Sequence, residues 1–284
     1  MNRKRWHERI PVRVLLGVVL PGVLLGAWHL ASLGEGAVIP SIREVADVIL
    51  HPLRDPPNLD SRPLLQSVGI SVLRVLIGFA AAALTAVPLG VLVGYSAVAD
   101  RIVSPLVEVF RPICPIAWLP VAILLFGFSS AGSLVWGDEA WRHDLASQLQ
   151  LAMAFIIWWG AFFPIFLNTV AGVRGVRSLH LEAARTLGAG PRQIFFKVML
   201  PASLPSIMTG LRVGMGLAWM VIIAAEIFPG ARAGLGYMIV TAHQVAQYEY
   251  AFASILIIGV IGLAINEVML FLSNRVSWWE GLER

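Results

Sequence analysis

Long runs of apolar residues, broken by short polar connections, set the class of this chain before any single residue does. A helix needs roughly 20 mainly apolar residues to cross a bilayer, and residues 14–33 provide them without one Asp, Glu, Lys or Arg. Residues 75–99, 112–137 and 145–173 are equally free of formal charge. A fifth run carries only Arg212 and Glu226 near its ends, and a sixth carries Glu267 in its last third. The pattern predicts an all-α membrane protein whose single transmembrane domain, 1–284, has six spans at about 14–33, 75–99, 105–128, 147–173, 203–228 and 251–272.

Two connections are too long for simple turns. Residues 34–74 hold the breakers Pro40, Pro52, Pro56, Pro57 and Pro63, between which 41–53 and 64–74 have helical apolar spacing. They are expected as short helices at the outer interface. The second connection, 174–202, is polar and patterned. Ser178 is expected to cap a helix over 179–187 with Glu182 in its first turn, and Gly188 and Gly190 to break it. Pro191 would open a second helix, 191–200, which Pro201 and Pro205 end.

Composition narrows the function classes. With 58% hydrophobic and 13% charged residues and a mean hydropathy of +0.78, a soluble domain is excluded. The single cysteine, Cys114, excludes an internal disulfide and a multi-cysteine metal site, and the six histidines show no ligand spacing. A net charge of +4 raises nucleic acid as a partner, yet the basic residues are scattered between apolar runs, which reads as topology. With the N-terminus inside, the inner segments carry about twice as many Lys and Arg as the outer ones, so both termini are expected in the cytoplasm. Arg3, Lys4, Arg5, Arg9 and Arg13 could serve a signal peptide. The long apolar run after them, without a small-residue cleavage site, favours a retained first helix.

Ionisable residues within spans are candidate functional groups. Glu108 and Arg111 are three apart and can pair on one helix face. Arg212 can snorkel to the cytoplasmic surface, Glu226 lies at the outer end of its span, and Glu267 can reach Arg275 or water. Span three holds Pro112, Pro115 and Pro120, and span five holds Gly210, Gly214 and Gly216. Broken backbone in a membrane is tolerated against protein or a water-filled cavity. Spans three and five are therefore the choice for lining a path, with Trp118 and Trp219 as gates and Pro120 and Gly216 beside them. The glycines serve close helix packing equally well, and the tryptophans ordinary packing.

Glu182, Ala183 and Ala184, then Gly188, Ile194, Leu200 and Pro201, resemble the signature loop of membrane subunits of binding-protein-dependent ABC importers. Further stretches are similar to the branch that imports nitrate, sulfonates, taurine and bicarbonate: Arg111 to Ile113, Pro115, Ala117 to Pro120, Asn168 and Thr169, Gly210 to Arg212, and Leu217 to Glu226. The resemblance implies the type I importer permease fold in a bacterial-type inner membrane. It implies a coupling helix built from Leu181, Glu182, Ala183, Ala184, Leu187 and Gly188 that docks in a groove of a separate ATPase. It also implies a second permease copy, two cytoplasmic ATPase subunits holding ATP and magnesium, and an external solute-binding protein. No cofactor, metal or nucleic acid is expected on this chain, which has no Gly-rich phosphate loop and no catalytic constellation.

The expected cargo is a small hydrophilic anion. The rival class, a self-sufficient secondary transporter or channel, usually places ionisable or carbonyl ligands near the midplane, and the central thirds of these spans lack Asp, Glu, Lys and Arg. One departure from the branch is the 129–150 segment with Trp136, Asp138, Glu139, Trp141, Arg142, His143 and Asp144. It is expected as an outer interfacial hairpin.

Overall fold

The structure, a computed structural model, describes residues 10–34, 38–127, 150–228 and 230–276. The 129–149 part of the expected hairpin, the first nine residues and the last eight lie outside that set. Helices dominate the described residues, and no extended strand occurs among them. Four helices are long and apolar enough to cross a membrane, and a fifth crossing is counted if one bent pair is a single span.

Helix α1 (Ile10–Ala31) covers the first apolar run. Trp28 Nε1 donates to Pro40 O at 3.0 Å, which fixes the end of α1 against the loop before α2 (Ile42–Leu50). Ser41 and Glu44 form a capping box at the start of α2, and Val45 and Val48 are its buried face. Helix α3 (Leu64–Tyr95) is 32 residues long. Residues 64–74 are therefore its first turns and not a separate interfacial helix. Nothing breaks the chain between Arg74 and Val75, and the charge that set the expected boundary is neutralised by burial against a carboxylate.

That carboxylate is Glu226. Arg74 Nη1 donates to Glu226 Oε1 at 2.8 Å with the two side chains 2% and 0% exposed, and it also donates to Ala233 O at 2.7 Å. Ser71 Oγ lies 2.9 Å from both carboxylate oxygens and accepts from Leu235 N–H, while Gly236 N–H donates to Glu226 Oε2. One buried node thus joins α3, the far end of the fifth apolar run and the segment that follows it. Sequence reasoning treated Arg74 as a topology charge and missed the pair, whose members are 152 positions apart.

The expected third span is not straight. Helix α4 (Ala97–Phe110) and the segment Pro115–Phe126, a short 3-10 turn running into α5 (Leu119–Phe126), meet at 89°. Pro112 and Pro115 have no N–H for a continuing ladder. Cys114, before Pro115, is extended (φ −58°, ψ 130°), as a residue preceding proline prefers.

Helix α6 (Leu151–Arg174) is the centre of the bundle, packing against α3 and the fifth-run helix more extensively than any other elements pack. A Cβ on Gly90 of α3 would come within 2.8 Å of Thr169 Cβ, and one on Gly210 within 2.8 Å of Asn168 Cβ. The family-like stretches at 168–169 and 210–212 are therefore packing contacts between neighbouring helices. Gly214 meets Ile165 in the same way, so for Gly210 and Gly214 the packing reading holds.

After α7 (Ser178–Thr186), α8 (Pro191–Ile194) passes through a π turn, Phe195–Met199, into α9 (Leu200–Ile227). Pro201 and Pro205 do not end a helix here. The π turn lets Leu200 N–H bond Phe195 O immediately before Pro201, and Pro201 lies in the first turn of α9, where a missing N–H costs little. Helices α10 (Leu235–Gln244) and α11 (Tyr248–Val276) complete the described fold.

Candidate functional site

Two features of this fold can carry function: the segment around α7, and a cavity beside the bend after α4. Arg177 occupies the N-cap position of α7 without a side-chain hydrogen bond. Ser178 is thus the first helical residue and not the cap, and Glu182 falls in the second turn. The far end is built as the sequence suggests. Gly188 has φ +80°, Ala189 N–H bonds Ala184 O and Gly188 N–H bonds Arg185 O, which is the Schellman arrangement.

No residue of α7 is buried. Leu179 and Leu187 are 68% and 87% exposed, Leu181 and Ala184 are half-buried, and Glu182, Ala183 and Gly188 are exposed. Helices of nine residues are not stable alone in water, so α7 relies on its ends and on what it touches. Among the described elements it has substantial contact only with α8 and the π turn. The root of the loop is firmer. Arg174 Nη2 lies 2.6 Å from Asp100 Oδ1, Ser104 Oγ donates to the same oxygen, and the Tyr95 and Phe195 rings meet edge-on with centroids 5.3 Å apart. Asp100 carried no signal in the sequence, because an Asp near a helix start reads as a dipole complement.

The second feature is a cavity of about 530 Å³ between the bend, the middle of α6 and α9. The bend contributes Arg111, Cys114 and Pro115, α6 contributes Trp159 and Phe163, and α9 contributes Leu217 and Met220. The segments expected as spans three, four and five border it. Of the four residues expected on the path, Trp118, Pro120, Gly216 and Trp219, none is among its described lining residues. Trp219 is 5% exposed, and its Nε1 donates to Ile258 O of α11 at 3.2 Å. Trp118 packs at a tilt against Trp159, 4.7 Å between ring centroids, while Pro120 and Gly216 are exposed.

The other charged candidates also resolve. Arg212 donates through Nε and Nη2 to Asn266 Oδ1 at 3.1 and 3.0 Å, so it ties α9 to α11 instead of snorkelling. Glu108 makes no ion pair with Arg111; Arg111 turns to the cavity, and Glu267 is exposed. No cluster of His, Cys, Asp or Glu able to hold a metal occurs among the described residues.

Helices long and apolar enough to cross a membrane, with a nine-residue helix that buries no residue, define the class as a membrane protein. Residues 86–278 match the family described as binding-protein-dependent transport system inner membrane component, and the chain belongs to it. It is 37% identical to a protein of Methanocaldococcus jannaschii assigned as an ABC transporter permease, over 94% of this chain and 92% of that one. It is 32% identical to the nitrate import permease of Leptolyngbya laminosa, over 89% and 84%. To the taurine transport system permease of Escherichia coli it is 28% identical, over 99% and 95%. The fold is shared with a chain of the methionine ABC transporter MetNI in inward-facing form, at a TM-score of 0.61 and 19% identity over 75% of this chain and 96% of that one. The chain is a permease subunit of the branch that contains nitrate, taurine, bicarbonate and sulfonate importers. Its family is one of inner-membrane transport permeases, not of enzymes.

Proposed function

We propose that this chain forms the transmembrane path of an ATP-driven importer for a small anion, one of nitrate, bicarbonate, taurine or an alkanesulfonate, delivered by an external binding protein. The observation that carries the coupling part is α7, a short helix with no buried residue, ended by Gly188 at φ +80° and rooted in the Asp100–Arg174 pair. Such a helix matches helix-in-groove docking. Leu181, Glu182, Ala183, Ala184, Leu187 and Gly188 are its coupling residues, with ATP and magnesium in the partner ATPase. The chain works as a pair with a second copy, over two ATPase subunits. It has six spans, both termini are cytoplasmic, and α1 and the bent pair complete the six.

Closure of the ATPases on ATP draws the two α7 helices together and turns the path from inward-facing to outward-facing. The relatives' substrates support the anion, since nitrate, taurine, bicarbonate and sulfonate permeases all match this chain. The test is ATPase activity of the reconstituted complex, measured with binding protein loaded with each of the four anions in turn. Stimulation by at least one is expected. Stimulation only by a neutral sugar, a cationic amino acid or a peptide would reject the cargo.

A further inference from the structure

Arg111 differs from Arg74, Arg174 and Arg212 of the helical bundle. Arg74 is paired with Glu226, Arg174 with Asp100 and Arg212 with Asn266. Among the described residues, no side chain or carbonyl accepts from the Arg111 guanidinium. It borders the cavity of about 530 Å³, whose other described lining residues are almost wholly apolar and include no carboxylate. Arg111 is exposed at the border of this cavity, and low-dielectric walls focus its field into the space beside it.

One further feature bears on an occupant. The indole Nε1 of Trp159, a wall residue, is buried without a hydrogen-bond acceptor among the described residues, and a buried donor without a partner is costly. The bend set by Pro112 and Pro115 follows Arg111 directly at the end of α4. A guanidinium offers a planar fork of N–H donors that fits nitrate, bicarbonate and sulfonate oxygens in pairs.

We propose that Arg111 is the anion-selecting residue of this cavity, where a small oxyanion of the nitrate, bicarbonate or sulfonate class pairs with its guanidinium during passage. The assignment rests on the anion-import reading above. One cation in an open cavity attracts an anion without enclosing it, so the hold is weak enough for release.

Cys114, the one cysteine of the chain, lines the same cavity and is exposed, so it reports the local field directly. In the assembled complex, the rates of Cys114 labelling by a sulfonate-bearing and a trimethylammonium-bearing methanethiosulfonate are compared, read on this chain after separation by electrophoresis. Arg111→Gln is expected to lower the anionic-to-cationic rate ratio about tenfold, Arg111→Lys to retain most of it, and an uncharged reagent to react at its original rate. Saturating nitrate or taurine should slow anionic labelling of the original chain and not of Arg111→Gln. An unchanged ratio in Arg111→Gln overturns the proposal, and so does an equal fall with the uncharged reagent, which reports collapse of the cavity. Equal anion uptake by the original and Arg111→Gln complexes also overturns it. A complex with the original chain that imports none of the four anions overturns the import reading instead.

Discussion

Removing one partner of the Arg74–Glu226 pair should be among the most damaging single substitutions outside the α7 loop. The two side chains are 2% and 0% exposed, so neither Glu226→Gln nor Arg74→Met leaves its former partner a route to water. Breaking a buried pair from one side costs about 3–5 kcal/mol, because an uncompensated charge remains. Glu226→Gln also weakens the acceptor that Ser71 Oγ and Gly236 N–H use. For a domain of this size each kcal/mol shifts Tm by roughly 2–4 °C, so each single variant should melt on the order of 10 °C lower. The double variant Arg74→Met with Glu226→Gln removes both charges and should recover most of that loss, since exchanging a buried pair for neutral groups is often nearly neutral. The bond that Arg74 donates to Ala233 O stays lost in the double variant, worth about 1 kcal/mol. The assay is tryptophan-fluorescence melting of the detergent-purified chain. Single variants within about 1 °C of the original, where the quoted cost requires several, would refute the burial argument. A double variant as unstable as the sum of the singles would refute the charge argument.

Other outcomes follow from particular contacts. Gly188→Val should leave insertion and melting close to the original and abolish stimulated ATPase activity, because a β-branched residue resists φ +80°; Gly188→Asn, which tolerates that region, should keep most of the activity. Glu182→Lys reverses an exposed charge on α7 and should lower stimulated activity without affecting folding, measured as transport per ATP hydrolysed. Gly210→Leu should block assembly of α9 on α6, where even a Cβ lies 2.8 Å from Asn168 Cβ, and should be read as loss of the monodisperse purified peak. In a Cys114→Ser background, Arg192→Cys and Arg232→Cys should react with an impermeant thiol reagent from opposite sides of the membrane; labelling of both from outside would reject the proposed topology.

How much of this was legible in the sequence depends on the range over which each signal acts. Apolar runs and the Gly188 break are local, and helices Ile10–Ala31, Leu151–Arg174 and Tyr248–Val276 cover the expected runs with ends shifted by a few residues. The Ser41–Glu44 cap is local too, and the helix expected there is present. Prolines were read too simply. Pro112 and Pro115 do more than weaken a span, since they bend it by 89°, while Pro201 and Pro205 lie within one helical run, Pro191–Ile227. The difference is tertiary, because a proline stops a helix only where no π turn or neighbouring helix compensates for its lost hydrogen bond. Partners distant in sequence left no trace at all. Nothing local in Arg74, Glu226, Asp100 or Asn266 announces its pair, and the charge count that placed Arg74 in an external loop was blind to its burial.

One contact that escaped sequence reasoning joins the loop to the helix that ends at the cavity. Helix α4 begins beside the Asp100–Arg174 pair at the root of α7 and ends at Phe110, immediately before the bend that presents Arg111. Its 14 residues span roughly 20 Å as a continuous helix, and a helix transmits displacement along its axis with little internal give. The 2.6 Å ion pair clamps its first turn to the end of α6. The bend at its other end has a backbone that two prolines keep out of the helical ladder. Under the coupling role proposed for α7, a force on it would reach Arg111 through α4, with the ion pair at one end and the bend at the other. Asp100→Ala removes the clamp and leaves both α7 and the cavity walls intact. Its expected phenotype is ATP hydrolysis that still responds to loaded binding protein while transport per ATP falls, and a variant that transports as efficiently per ATP as the original chain would mean that α4 carries no force.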